Sequence, residues 1–348
     1  MTFINLYSDT QSVPDAGMRA AMADAEVGDE QAGLDPSVNA LCERMAALLG
    51  KERAVFLPSG TMCNAIAILV HCQRGDEIIA HESAHIINFE GGGPAALAGA
   101  LVRPLTGARG QYDADALRAA VREPSRYHPR SRMAVIENTS NLGGGSVWPL
   151  ERVREIAEAA RAAGLIMHMD GARLMNAVVA SGTPAQAYAA PFDSVWIDLS
   201  KGLGCPVGAV LAGDAAFIEA AWQWKQRLGG AMRQAGIIAA AGLYALDHNI
   251  DRLAEDHANA RLFADLVKDH PDIALSPDGV DTNIVFLDYK APRADAETVV
   301  ARALEKGLRI GATTRRRFRI VTYIGIDAAT VRRAADIFLQ TLDEVRED

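Results

Sequence analysis

Cysteine is scarce in this sequence, and its spacing carries no metal or redox signature. Cys42, Cys63, Cys72 and Cys205 form no C-x-x-C pair. That excludes a disulfide scaffold and reads as reduced, partly buried thiols of a cytoplasmic protein. No metal ligands are assigned. Positive charge is also in deficit: 35 Lys and Arg stand against 44 Asp and Glu, a net charge of −9. A nucleic-acid binder carries a basic footprint, and the one basic cluster, "TTRRRFR" at 313–319, is short enough for a solvated turn. Long apolar runs are missing. The longest, "AGIIAAAGLYAL" at 235–246, is too short and too alanine-rich to span a bilayer. The opening "MTFINLYSDTQSVP" has neither a basic start nor an apolar core, so no secretory signal is expected. Internal repeats and low-complexity tracts are absent as well.

What is present is a chain of 348 residues, 49% hydrophobic and 23% charged, an ordinary soluble composition with room for a large domain and a smaller one. Short apolar runs at 54–57, 77–80, 100–103, 133–138, 165–169, 194–198 and 208–213 alternate with alanine-rich helical stretches at 38–49, 61–72, 114–122 and 151–163. Several of the runs are apolar throughout, as strands covered on both faces are. The alternation predicts an α/β fold with a mostly parallel sheet. Ligands bind such sheets beyond the carboxyl ends of the strands. The pattern changes near residue 246, after which helices and strands form a compact α+β unit. The predicted division is therefore 1–246 and 247–348.

The strand ends hold the chemistry. After 54–57 comes "SGTMCNA". Ser59, Gly60 and Thr61 there read either as a plain helix cap or as an anion site made of backbone N–H groups. After 77–80 comes His85, beside a glycine-rich turn. It is either a loop histidine or a ring laid against a flat ligand. After 165–169 comes "DGAR". Asp170 needs a cationic partner, either Arg173 or a protonated ring nitrogen. After 194–198 comes Lys201, in "DLSKGLG", an amine on a glycine-loosened loop. An anion cradle, a flat group, a carboxylate and a lysine at one sheet edge are the parts that pyridoxal phosphate requires.

With these residues in place, the chain resembles the low-specificity L-threonine aldolases, in the β-eliminating lyase group of fold type I pyridoxal-phosphate enzymes. The stretches that carry the resemblance are "SDT" (8–10), "FLPSGTMCN" (56–64), "AHIINFEGGG" (84–93), "IENTSN" (136–141), "HMDGARLMNA" (168–177), "DLSKGLG" (198–204), "GGAMRQAG" (229–236) and "RIVT" (319–322). The resemblance implies pyridoxal 5'-phosphate bonded to Lys201, with Asp170 on its ring nitrogen and His85 on its face. Ser59, Gly60 and Thr61 take the phosphate, Arg173 and Arg319 hold the substrate carboxylate, and Ser8 lies near it. His128 is placed by the substrate hydroxyl. Arg233 reaches a neighbouring subunit's phosphate, so a homodimer or homotetramer with shared sites is expected.

The implied reaction cleaves L-threonine, L-allo-threonine or a related β-hydroxy-α-amino acid to glycine and an aldehyde. His85, His128 or an ordered water is left as the base. The alternative is an eliminating or dehydrating lyase giving a 2-oxo acid and ammonia. This chain departs from the family pattern at Tyr7, Ala32, Leu34, Ser140, Gln226 and Tyr323. Ala32 and Leu34 predict a widened substrate pocket that admits larger side chains such as that of phenylserine. Tyr323, in place of a histidine, shifts the base role to His85 and His128.

Overall fold

The computed structural model describes residues 3–292 and 294–347. Seven strands form the central sheet: β2 (Arg53–Leu57), β3 (Glu77–His81), β4 (Leu101–Leu105), β5 (Ser131–Glu137), β6 (Ile166–Gly171), β7 (Ser194–Asp198) and β8 (Ala209–Gly213), in spatial order β2-β8-β7-β6-β5-β3-β4. Strand β8 alone runs antiparallel to its neighbours; the other contacts are parallel. Strands β3, β7 and β8 are buried along their whole length, which explains their unbroken apolar runs.

The covering helices follow from local chemistry. The helix Pro36–Leu49 starts on Asp35, whose carboxylate accepts from the Val38 N–H at 3.0 Å, with Pro36 in the first turn. It ends on Gly50 at φ 63°, in the left-handed region. Val38, Leu41, Met45 and Leu49 recur at helical spacing and are all buried in the main core.

A second, antiparallel sheet has the order β12-β13-β10-β9, from β9 (Ile273–Leu275), β10 (Ile284–Tyr289), β12 (Gly311–Thr314) and β13 (Arg317–Val321). Side chains alternate across it. Val285, Leu287, Phe318 and Ile320 enter a core shared with Phe263 and Phe338 of the covering helices. Ile284, Phe286 and Val321 point the other way, onto Leu142 of the large sheet's loops. Arg319 lies opposite Phe286 in this register, so the alternation that buries Phe318 and Ile320 turns Arg319 toward the large sheet.

The amino-terminal arm crosses between the two bodies. Strand β1 (Ile4–Asn5) pairs in parallel with β11 (Leu308–Arg309), and Leu6 is buried in the second core. We propose 1–246 and 247–348 as the two domains, with this arm reaching over. Among the described residues, no helix is long and apolar enough to cross a membrane.

Candidate active site

A cavity of about 690 Å³ opens at the carboxyl ends of the large sheet. The large sheet contributes His85, Glu137, Asp170, Arg173 and Lys201. The small sheet adds Phe286, Arg317, Arg319 and the strand Gly311–Thr314, and the arm adds Tyr7, Ser8 and Thr10. The arm reaches the cavity because β1 is anchored on β11.

Lys201 is mostly buried, and its Nζ lies 2.6 Å from Asp198 Oδ2. Asp198 Oδ1 is held by the Ser200 N–H and hydroxyl, at 2.9 and 2.8 Å. Asp170 ends β6, buried. It accepts from Asn64 Nδ2 at 2.9 Å and from the Ala172 N–H at 3.1 Å. Arg173 is not its partner, because both forks of that guanidinium are committed to Asp9: Nε and Nη2 each donate to an Asp9 carboxylate oxygen at 2.6 Å. Among the described residues no salt bridge involves Asp170.

Arg319 has the opposite deficit. It is half-buried and donates to two neutral acceptors, the Tyr7 carbonyl at 3.1 Å and Asn141 Oδ1 at 2.8 Å; its Nε has no partner. Burial and the neighbouring Arg173 charge push its pKa down to about 10. One cavity thus presents a buried carboxylate lacking a cation and a half-buried guanidinium lacking an anion. A ligand bearing a cationic ring and a carboxylate would balance both.

His85 begins a short helix after β3. Its backbone N–H donates to Glu137 Oε2, and its Nδ1 lies 2.7 Å from Glu90 Oε1. Burial opposes the charged form, but the hydrogen bond to Glu90 together with the charges of Asp170, Glu90 and Glu137 outweighs it and raises the His85 pKa. Burial in turn raises Glu90. Glu137 is pushed up to about 7 by burial and then by the Asp170 charge. Its other oxygen accepts from the Asn141 N–H at 2.7 Å, so one carboxylate sets both the start of the His85 helix and the loop that holds Arg319. His85, Glu90 and Asp170 bring ligand-capable atoms within 4.8 Å of one another.

Ser59 caps the helix Gly60–His71 through its hydroxyl, which accepts from the Met62 N–H at 3.2 Å. The first N–H groups of a helix have no partner within it. A Cβ on Gly60 would stand 2.2 Å from the Trp196 ring, so the residue type at 60 is fixed by a close approach to β7. Thr61 lines a small adjoining hollow with Glu90. Ser8 caps the arm's single turn, accepting from the Thr10 N–H at 3.2 Å.

Several expected site residues lie elsewhere. His128 does not line the cavity: it is exposed on the loop leading into β5, where its Nδ1 donates to the Glu123 carbonyl at 3.2 Å. A parallel strand is entered from its amino end, so that loop sits at the sheet edge opposite the cavity. Arg233 is exposed and paired with Asp29 at 3.0 Å, away from this chain's cavity lining. Ala32 and Leu34 are exposed on the turn beside Asp29 and do not widen the cavity within the chain. Tyr323 is buried, and its hydroxyl donates to the Asn5 carbonyl at 2.9 Å, so it fastens the arm.

Asp9, Asn64, Glu90, Glu137, Asn141 and Asp198 were not anticipated. Each sits inside a stretch already singled out by its neighbour. What was missing was the pairing, and residues as far apart as Asp9 and Arg173 meet only in the fold.

Replacing Asp9 with asparagine is expected to destabilise the protein by about 3–5 kcal/mol, the cost of leaving the Arg173 charge buried and unpaired. Burial alone would raise the Asp9 pKa, but Arg173 overcomes it and holds the carboxyl far below its ordinary range. A depressed carboxylate stabilises the fold above its unfolded pKa, and that contribution is lost as pH falls toward the folded value. Urea midpoints should therefore differ strongly between variant and parent at pH 7 and converge in acid. A gap that widens in acid would contradict the pairing.

Residues 5–291 match the family model described as beta-eliminating lyase. Low-specificity L-threonine aldolase 1 of Arabidopsis thaliana is 38% identical over 354 residues, covering 100% of this chain and 98% of its own. The low specificity L-threonine aldolase of Escherichia coli K12 is 42% identical over 285 residues, covering 82% of this chain and 84% of its own. The threonine aldolase of Leishmania major superposes with a TM-score of 0.83 at 18% identity, over 97% of this chain and 98% of the other, which shows a shared fold. The chain belongs to the beta-eliminating lyase family and, within it, to the low-specificity L-threonine aldolases.

Proposed function

We propose that the protein cleaves L-threonine, L-allo-threonine and related β-hydroxy-α-amino acids to glycine and an aldehyde, with pyridoxal 5'-phosphate as cofactor. The observation that carries this reading is the pair of unmatched charges, buried Asp170 and half-buried Arg319, on one cavity with the Lys201 amine. Lys201 would hold the cofactor, which would supply the electron sink for the pair released when Cα–Cβ breaks. Asp170 would sit against its ring nitrogen. The start of the helix Gly60–His71 would take its phosphate through Ser59, Gly60 and Thr61.

The protein's own groups then do the rest. Arg319 binds the substrate carboxylate, and a guanidinium fork fixes orientation as well as charge. Arg173, held in place by Asp9, lines the same cavity beside it. Fixing the carboxylate fixes the rotation about Cα and places the β-carbon relative to His85. Glu90 accepts a hydrogen bond from His85 Nδ1–H, so Nε2 is the free lone pair that accepts the β-hydroxyl proton. A histidine suits this transfer near neutral pH.

The test is product analysis on L-threonine, L-allo-threonine and L-phenylserine with the parent and with Arg319→Leu. Glycine and the matching aldehyde are expected. The variant should lose about 10²-fold in kcat/KM, ~2.7 kcal/mol, mostly through KM. A 2-oxo acid with ammonia in place of glycine overturns the reading.

The active form proposed is a cytoplasmic homodimer or homotetramer in which Arg233 serves the neighbouring subunit's site. Arg233 lies outside its own cavity on a loop clasped to residues 29 and 30: the Glu30 N–H donates to the Arg233 carbonyl at 3.0 Å, and buried Lys225 pairs with Glu30. Mixing inactive Lys201→Ala with inactive Arg233→Ala subunits should restore activity, since one site of a mixed dimer is intact. No recovery after demonstrated subunit exchange contradicts shared sites.

A further inference from the structure

Behind the cavity, polar side chains that do not line it form one continuous line leading to Asp170 and His85. His71 Nε2 lies 2.9 Å from Ser194 Oγ, and Ser194 Oγ lies 2.8 Å from His168 Nδ1. His168 Nε2 lies 3.1 Å from Asn64 Oδ1. The Asn64 amide nitrogen then reaches Asp170 Oδ2 at 2.9 Å and Glu90 Oε1 at 2.7 Å. Glu90 Oε1 also meets His85 Nδ1. Asn64, Ser194 and His168 are buried, so water does not complete their hydrogen bonding.

One fixed donor settles the direction of every link. The Trp196 indole N–H can only donate, and it lies 2.7 Å from Asn64 Oδ1. The atom it meets is therefore the amide oxygen. His168 Nε2, facing the same oxygen, must carry a hydrogen. Burial holds His168 and His71 neutral, with pKa values lowered to about 3 and about 4. A neutral imidazole with a hydrogen on Nε2 has a bare Nδ1, so the Ser194 hydroxyl donates to it, and Ser194 Oγ in turn accepts from His71 Nε2. All five links from His71 onward donate toward the two carboxylates, and aligned hydrogen bonds of this kind strengthen one another at low dielectric.

Resting on the functional reading above, we propose that Asn64 is a positioning residue, backed by His168, Ser194 and His71, whose donor chain favours negative charge on Asp170 and thereby keeps the hydrogen on the cofactor's ring nitrogen. Without these donors, negative charge on Asp170 is less favourable and the shared hydrogen moves from the ring to the carboxyl. Because Asn64 donates to Glu90 as well, it also ties the ring-nitrogen partner to the group that orients His85.

The experiment is nitrogen NMR on the holoenzyme loaded with ¹⁵N-labelled pyridoxal 5'-phosphate and carrying ¹⁵N-histidine. In the parent, the ring nitrogen should resonate at its protonated position, and His168 should be hydrogenated at Nε2 with a bare Nδ1. Asn64→Leu should move the ring-nitrogen signal toward the unprotonated position and lower kcat with little change in KM. Ser194→Ala, which removes one hydroxyl and leaves the Asn64 contacts in place, should give a smaller shift in the same direction. It decides the matter if Asn64→Leu does not fold. An unchanged ring-nitrogen signal in a folded, loaded variant, or His168 hydrogenated at Nδ1 in the parent, overturns the proposal. A parent that takes up no cofactor overturns the functional reading instead.

Discussion

Lys201→Ala is expected to lower kcat by about 10³-fold or more, ~4 kcal/mol of barrier, and to abolish covalent fixation of the cofactor by borohydride. The lysine stands at the end of β7 with its amine 2.6 Å from Asp198, on the cavity that also holds Asp170 and Arg319. Its ion pair is local, and Asp198 keeps its bonds to Ser200, so the variant should fold. Thermal unfolding of the cofactor-free proteins checks that point. In the parent, the label should be recovered on a peptide containing Lys201. Neither Lys225, buried against Glu30, nor Lys306, paired with Glu344 at 2.5 Å, lines the cavity. Label on either would refute the assignment.

Asp170→Asn should fold and yet lose about 10²-fold or more in kcat, ~2.7 kcal/mol. The amide is close in shape, but it carries no charge to balance a cationic ring nitrogen. It also disturbs the local bonding. One oxygen of Asp170 accepts from the Ala172 N–H and the other from Asn64 Nδ2, and an asparagine offers a single acceptor atom to these two donors. Steady-state kinetics with unchanged circular dichroism would support this account. Activity within about threefold of the parent, less than 1 kcal/mol, would remove Asp170 from the mechanism.

The fold, and the place of Asp170 and Lys201 on the cavity, were legible in the sequence because each depends on local pattern. Apolar runs at 77–80 and 194–198 mark strands buried on both faces. Asp170 and Lys201 each follow such a run directly, so the rule that strand carboxyl ends face the ligand places them without knowledge of the fold. The same rule marks the limit for His128. The residue precedes its strand, and a chain entering a parallel sheet does so at the far edge. The family resemblance implies a site role for His128; topology places it at the sheet edge opposite this chain's cavity.

Strand positions, the order of elements along the chain and the residues at strand ends were determined by the sequence alone, through period-two burial, helix caps and apolar runs. The tertiary structure decided which charges are spent and which are free. Arg173 and Arg319 look alike as cations in a sequence, yet one is neutralised by Asp9 and the other has only Tyr7 and Asn141 to donate to. The difference arises because the arm, pinned on β11, carries Asp9 across to Arg173, while the pleat of β13 turns Arg319 into the same cavity. A pairing that joins residues more than a hundred positions apart has no local signature; the energy that selects it, the cost of burying an unpaired charge, exists only once the chain has closed around it.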